Sequence, residues 1–142
     1  MEFENQMLLK FTACSQNESF ARLAAAAFLM QFDPTVSELT DIKTAVSEAV
    51  TNAIIHGYEK KEGQVTLFCG YQGDSIYIEV KDEGQGIEDV NKAREPLFTT
   101  KPDMERSGLG FTVMETFMDK ISVESAPGEG TVVKMVKTLK KS

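Results

Sequence analysis

A chain of 142 residues with a formal charge of −7, 42% hydrophobic and 26% charged side chains, is long enough to bury a real core and is expected to form one domain. The acidic balance argues against direct nucleic-acid binding, which needs clustered Lys and Arg. Cys14 and Cys69 fit neither a zinc pattern nor a disulfide scaffold, and the longest apolar run, Leu23 to Met30, is far short of the ~20 residues a membrane helix needs. The expectation is a cytoplasmic protein with free thiols and no membrane contact.

Met7 to Phe11 reads as a short edge strand. Ser15 or Asn17 is a plausible N-cap, with Glu18 in the first turn, for a helix through Phe32 that is rich in alanine between Ala24 and Ala27. Asp33-Pro34 breaks it, because the residue before proline avoids helical geometry. Pro34 or Thr35 opens a second helix that runs to Gly57, a good C-terminal stop. Along it Leu39, Ile42, Val46, Ala49, Val50, Ala53 and Ile54 recur at three- and four-residue spacing and mark the buried face. Glu48 and Asn52, four residues apart, project together from another face.

After a polar connector, Gln64 to Tyr71 alternates with Val65, Leu67, Cys69 and Tyr71 on one side, and Ser75 to Lys81 alternates again. Gln72-Gly73-Asp74 joins them as a hairpin. Ile87 to Arg94 is read as a short helix and Glu95 to Ser107 as a loop. Gly108 to Met118 resumes helical spacing. Ile121 to Glu124 and Thr131 to Val136 read as a closing hairpin around Pro127-Gly128-Glu129-Gly130, and Lys137 to Ser142 as a solvated basic tail. The order β-α-α-β-β-loop-α-β-β implies an α+β protein: a two-layer α/β sandwich, its mixed, mostly antiparallel sheet covered by helices on one face.

Three glycine-bearing segments give the Glu48/Asn52 pair its meaning. In Asp82-Glu83-Gly84-Gln85-Gly86 a carboxylate ends a strand beside two glycines that let a ligand approach the backbone. Asp82 could accept from a ligand amino group, or merely cap a turn. Ser107-Gly108-Leu109-Gly110 opens a helix, where uncluttered N–H groups favour an anion. It is neither a Walker loop, lacking G-K-[ST], nor a dinucleotide fingerprint, lacking a preceding strand. Between them Thr99, Thr100 and Lys101 could close over phosphate. Gly128-Glu129-Gly130-Thr131 is the least specific, ordinarily a hairpin turn, although Thr131 could reach a base edge. Mg²⁺ favours oxygen ligands, so the Asn52 carboxamide could hold it while Glu48 takes a proton from an attacking hydroxyl. His56, the only histidine, reads better as a helix-end side chain than as a catalyst.

Taken in order, Glu48-x-x-x-Asn52, Asp82-x-Gly84-x-Gly86, Ser107-Gly108-x-Gly110 and Gly130-Thr131 resemble the N, G1, G2 and G3 boxes of the GHKL superfamily, which includes gyrase B, MutL and the histidine kinases. The segments Ser47 to Tyr58 and Pro96 to Pro102 further resemble the anti-sigma serine kinases, most closely those of sporulation. The resemblance implies a Bergerat fold binding ATP or ADP with Mg²⁺. It implies Glu48 as general base, Asn52 as the Mg²⁺ ligand and Asp82 as acceptor of the adenine amino group. Gly84 and Gly86 would shape the adenine pocket, and Thr131 would support its far side. Thr99, Thr100 and Lys101 would belong to the lid, with Ser107, Gly108 and Gly110 at the phosphates.

Such kinases phosphorylate a serine of a STAS-domain anti-anti-sigma factor and hold a sigma factor inactive as a homodimer. The match Asn17-Glu18-Ser19-Phe20-Ala21-Arg22 further implies that Glu18 and Arg22 face those partners. A histidine kinase is disfavoured, since no phospho-acceptor helix pair precedes the boxes. An ATPase clamp is disfavoured for want of a transducer domain. A nucleotide-gated binding module, or a stress-response anti-sigma kinase, is the alternative. A pure binder has no need of Glu48 beside the metal ligand, which favours the kinase.

Overall fold

Alternating strands and amphipathic helices assemble into two layers. The computed structural model describes residues 2–57, 63–84 and 106–139. Five strands, β1 (Asn5–Thr12), β2 (Gln64–Gln72), β3 (Ser75–Asp82), β4 (Lys120–Ser125) and β5 (Thr131–Thr138), form one sheet in the order β1-β2-β3-β5-β4. Every described pair is antiparallel, so the mixed character expected of the sheet is not found among these strands. The helices are α1 (Gln16–Leu29), α2 (Val36–Asn52) and α3 (Arg106–Phe117). The expected short helix over 87–94 lies outside the described residues.

Local chemistry explains the element ends. Asn17 Nδ2 donates to the Thr12 carbonyl at 2.9 Å, tying the start of α1 to the end of β1. The helix stops at Leu29, three residues before the expected end, and tightens into a 3₁₀ turn over Met30–Phe32. Asp33 then takes φ +52°, left-handed geometry that Asp tolerates better than bulkier residues. Thr35 starts α2 through a reciprocal capping box: its hydroxyl accepts from the Glu38 N–H at 3.0 Å, and the Glu38 carboxylate accepts from the Thr35 N–H at 2.9 Å. Two orphan donors of this helix start are thereby satisfied.

The core lies between the helices and one sheet face. Ile42, Ala45, Val46, Ala49 and Val50 of α2 are buried over Val65, Leu67, Ile76, Ile78, Val80 and Met135. Ala21, Ala25, Phe28 and Leu29 extend this core from α1, and Phe111 and Met114 from α3. Cys69 is buried in β2, and burial pushes its thiol up to about 12. α2 is the central helix, packed against α1 on one flank and α3 on the other.

The expected basic tail begins later than the composition suggested. Lys137 is the seventh residue of β5. Its side chain is only 13% exposed, lies 3.7 Å from the Asp41 carboxylate and donates to the Phe117 carbonyl at 2.7 Å. It joins α2, the end of α3 and the sheet, placing a cation at a helix C-terminus where the dipole favours it. Leu139 is buried too and donates its N–H to the Asp74 carbonyl. The opposite sheet face carries Phe3 laid over Gly70, where an added Cβ would come within 2.8 Å of the ring. Phe68 and Tyr77 complete an aromatic cluster with it, at centroid separations of 5.3 to 5.9 Å.

Candidate functional site

The first half of the site stands at the end of α2. Helical spacing puts Glu48 half-buried and Asn52 one turn later, 9% exposed. Both polar atoms of the Asn52 carboxamide are shielded from solvent, and neither has a hydrogen-bond partner among the described residues. Buried polar groups are nearly always paired, and each unsatisfied one costs about 1–3 kcal/mol. A side chain kept at that cost points to a ligand. Immediately beyond it the helix widens into a π-helical turn over Ala53–Gly57, a distortion frequent at functional sites, and this turn lies against β3.

The second half is built on the last residue of β3. Asp82 is 4% exposed and sits opposite Thr131 of β5 in the register. The Gly84 N–H donates to its Oδ1 at 2.9 Å, and the Thr131 N–H also donates to the carboxylate. Two donors leave acceptor capacity on the carboxylate for a third group. Gly130 makes this closeness possible. Its φ is +79°, and a Cβ there would fall on the Asp82 carbonyl oxygen and 2.7 Å from the Glu83 Cα. Ser125 on β4 finishes the corner, donating to the Gly130 carbonyl at 2.7 Å with its hydroxyl 2.9 Å from that of Thr131. Ser125 did not stand among the expected residues, and Gly130 stood there only as part of the Gly130-Thr131 box, with no role of its own. Inward alternation on β4, opposite Thr131, is the signal that would have found Ser125.

Burial raises the Asp82 carboxyl above the usual 3.8, while the Gly84 and Thr131 N–H groups pull it back down. A raised folded-state value means that the native chain holds this proton more tightly than the unfolded chain. Asp82 therefore supports folding most below its unfolded-state value, and that support is lost as pH rises through the raised value. A ligand amino group needs the ionised form, so its binding follows the opposite trend. Calorimetric titration with ADP is expected to show affinity falling on acidification at a higher pH than an ordinary aspartate would give. Asp82→Asn should bind at least about tenfold more weakly and lose this pH dependence, a charge-assisted hydrogen bond being worth roughly 1.5–3 kcal/mol.

Of the other expected residues, Gly84 is brought to Asp82. Ser107, Gly108 and Gly110 fall in the first turns of α3, as expected of an anion-binding helix start. Gly86, Thr99, Thr100 and Lys101 lie outside the described residues. Glu18 and Arg22 form an i,i+4 ion pair on α1 at 3.7 Å, with side chains 22% and 36% exposed.

The end of α2 thus carries an orphaned carboxamide and the end of β3 a buried carboxylate with capacity to accept, and comparison with known proteins agrees with a nucleotide site. Residues 11–137 match the histidine kinase-like ATPase domain. The chain belongs to that family. Its relatives within the family include the anti-sigma F factor of Thermoanaerobacter sp. (strain X514), 61% identical over 137 residues that cover 96% of each chain. That of Bacillus subtilis (strain 168) is 56% identical over 98% of this chain and 96% of its own. Among solved structures, the RsbU and RsbW domains of a Mycobacterium tuberculosis protein superpose with a TM-score of 0.71 at 20% identity, over 95% of this chain and 32% of that one. The catalytic domain of the histidine kinase ThkA gives 0.59 at 16% identity, over 94% and 96%. Both likenesses concern the fold, a GHKL-type α+β sandwich. Membership of this ATPase family implies nucleotide binding.

Proposed function

We propose that this chain is an ATP-dependent protein-serine kinase acting on a STAS-domain anti-anti-sigma factor, and that it also binds and inhibits a sporulation sigma factor. The observation that carries the proposal is the Asn52 carboxamide, buried with both polar atoms unpartnered one helical turn beyond Glu48. An amide oxygen in a shielded corner suits Mg²⁺, which takes oxygen ligands and keeps several waters. When bound, the ion neutralises phosphate charge. The rest falls to the chain's own side chains. Asp82 accepts from the adenine amino group, with Gly84, Gly86 and Thr131 shaping that end. Ser107, Gly108 and Gly110 receive the phosphates, and Thr99, Thr100 and Lys101 close over them. Glu48 accepts the proton of the attacking serine hydroxyl, a step worth typically 10²–10⁴-fold.

The names of the relatives support the anti-sigma role, and the surface of α1 supports a protein partner. Beside Glu18 and Arg22, Phe20 and Leu23 are 54% and 58% exposed, which is unusual for large apolar side chains three residues apart on one helix. On this reading the chain works as a cytoplasmic homodimer.

The test is transfer from γ-labelled ATP with Mg²⁺ to a STAS-domain protein, run beside Glu48→Gln. The expected result is label on a partner serine, reduced at least about a hundredfold in Glu48→Gln while nucleotide binding persists. Binding without label in wild type would leave a nucleotide-gated binding module. No nucleotide binding would sink the reading.

A further inference from the structure

Glu48 also borders a second depression, on the side of α2 away from α3. Arg22 of α1 and Thr40, Lys43, Thr44, Ser47 and Glu48 of α2 line a pocket of about 190 Å³. The groups expected to hold nucleotide belong to β3, β5, the end of α2 and the start of α3. The pocket is built from α1 and α2 alone, and Glu48 is the one residue common to both.

The two cations in the pocket are not equivalent. Arg22 is engaged by Glu18 at 3.7 Å and approaches the Ser19 hydroxyl at 3.5 Å. Lys43 makes no ion pair or hydrogen bond with the described residues. In a chain of net charge −7, an ammonium with no ion-pair partner among the described residues, set beside three hydroxyls, suits one carboxylate. Thr40, Thr44 and Ser47 form a row along the helix. The Thr44 hydroxyl donates to the Thr40 carbonyl at 2.9 Å, which leaves its lone pairs turned outward as acceptors. Such a row can hydrogen-bond to the backbone of an extended segment.

We infer that this pocket is the acceptor subsite, which seats the protein segment presenting its serine to Glu48, and that Lys43 pairs with a carboxylate of that segment. The inference rests on the kinase reading for the identity of the occupant. Lys43 and Glu48 are five residues apart on the helix, roughly 7–8 Å along its axis at 1.5 Å per residue, with a further lateral offset from the rotation between them. Together these are the reach of about two to three residues of extended chain. The acceptor's carboxylate therefore stands about two to three residues from its serine, or at the same distance across a folded surface. Lys43 is a positioning and specificity residue, because it touches the acceptor away from the reacting oxygen.

The experiment measures acceptor binding and acceptor phosphorylation separately, using the full chain and a purified STAS-domain protein. Binding is followed by calorimetry with ADP present, and transfer with γ-labelled ATP. Lys43→Glu is expected to weaken acceptor binding at least tenfold and to raise KM for the acceptor by a similar factor, with kcat within about twofold. Changing the acceptor's carboxylate to lysine should restore most of the loss. Lys43→Met, which keeps the stem, should lie between the two, and an unchanged thermal midpoint shows that each variant is folded. Affinity and KM unaffected by Lys43→Glu, or a fall confined to kcat, would overturn the subsite and leave the kinase reading standing. Lys43-dependent binding without transfer in wild type would keep the docking pocket and remove the kinase. An acceptor that does not bind the wild-type chain removes both.

Discussion

Asn52→Leu is expected to make the protein more stable and inactive at once. The native carboxamide is buried with both polar atoms unpartnered, and leucine replaces it with an apolar side chain of similar reach. Removing this one unsatisfied carboxamide should raise stability by about 1–3 kcal/mol. For a domain of this size that corresponds to a rise of roughly 3–10 °C in Tm. Loss of Mg²⁺-dependent nucleotide chemistry should accompany it. Outer-shell partners of a metal are already worth 10–100-fold, so a direct ligand should cost more than about a hundredfold. Thermal melts with and without Mg²⁺-ADP decide the matter. Wild type should gain midpoint on adding the ligand, as any group that binds only the folded state requires. Asn52→Leu should start higher and gain little. A lower midpoint in the free variant would mean that the carboxamide is held for packing rather than for a ligand, and the role assigned to it would fall.

Gly130→Ala should do the reverse and damage both fold and site. A Cβ at φ +79° meets the Asp82 carbonyl oxygen and the Glu83 Cα at once, and both are backbone that cannot swing aside. Left-handed geometry costs a non-glycine residue about 1–2 kcal/mol, and overpacking adds about 1–3 kcal/mol more. A loss of roughly 2–5 kcal/mol is expected in urea titration, with unchanged m-value if the fold survives. Because β5 must move away from β3 to relieve the clash, the Thr131 N–H would leave Asp82, and ADP affinity should fall with stability. Gly128 offers the control. It also has positive φ, +77°, but nothing lies within 4 Å of its Cβ position, so Gly128→Ala should show only the conformational cost.

These two residues also mark what could and could not be read in advance. The strands were legible because alternation survives in sequence: Val65, Leu67 and Cys69 face the core as their period requires. The central helix was legible for the same reason at a different period, and its Thr35-x-x-Glu38 start carries a capping signature. What sequence hides is pairing between distant segments. Gly130 was read as a turn and box glycine, but not as one that nothing can replace, because the atoms that forbid its substitution belong to Asp82 and Glu83. Lys137 looked like part of a solvated tail because Asp41 and the Phe117 carbonyl reach it only after the sheet has formed. Asn52 was singled out by its spacing from Glu48, but its lack of partners is a property of the packed interior. No linear pattern reports such a property.

The strand order has one more consequence. β5 enters between β3 and β4, so the sheet stays divided until the last described strand is in place. Asp82 receives one of its two N–H donors from that strand. A chain still emerging from the ribosome therefore has Glu48, Asn52 and Asp82 long before the corner around Asp82 is finished. Nucleotide can stabilise only the completed molecule, and a nascent chain stalled before Thr131 should be protected from proteolysis neither by ADP nor by ATP.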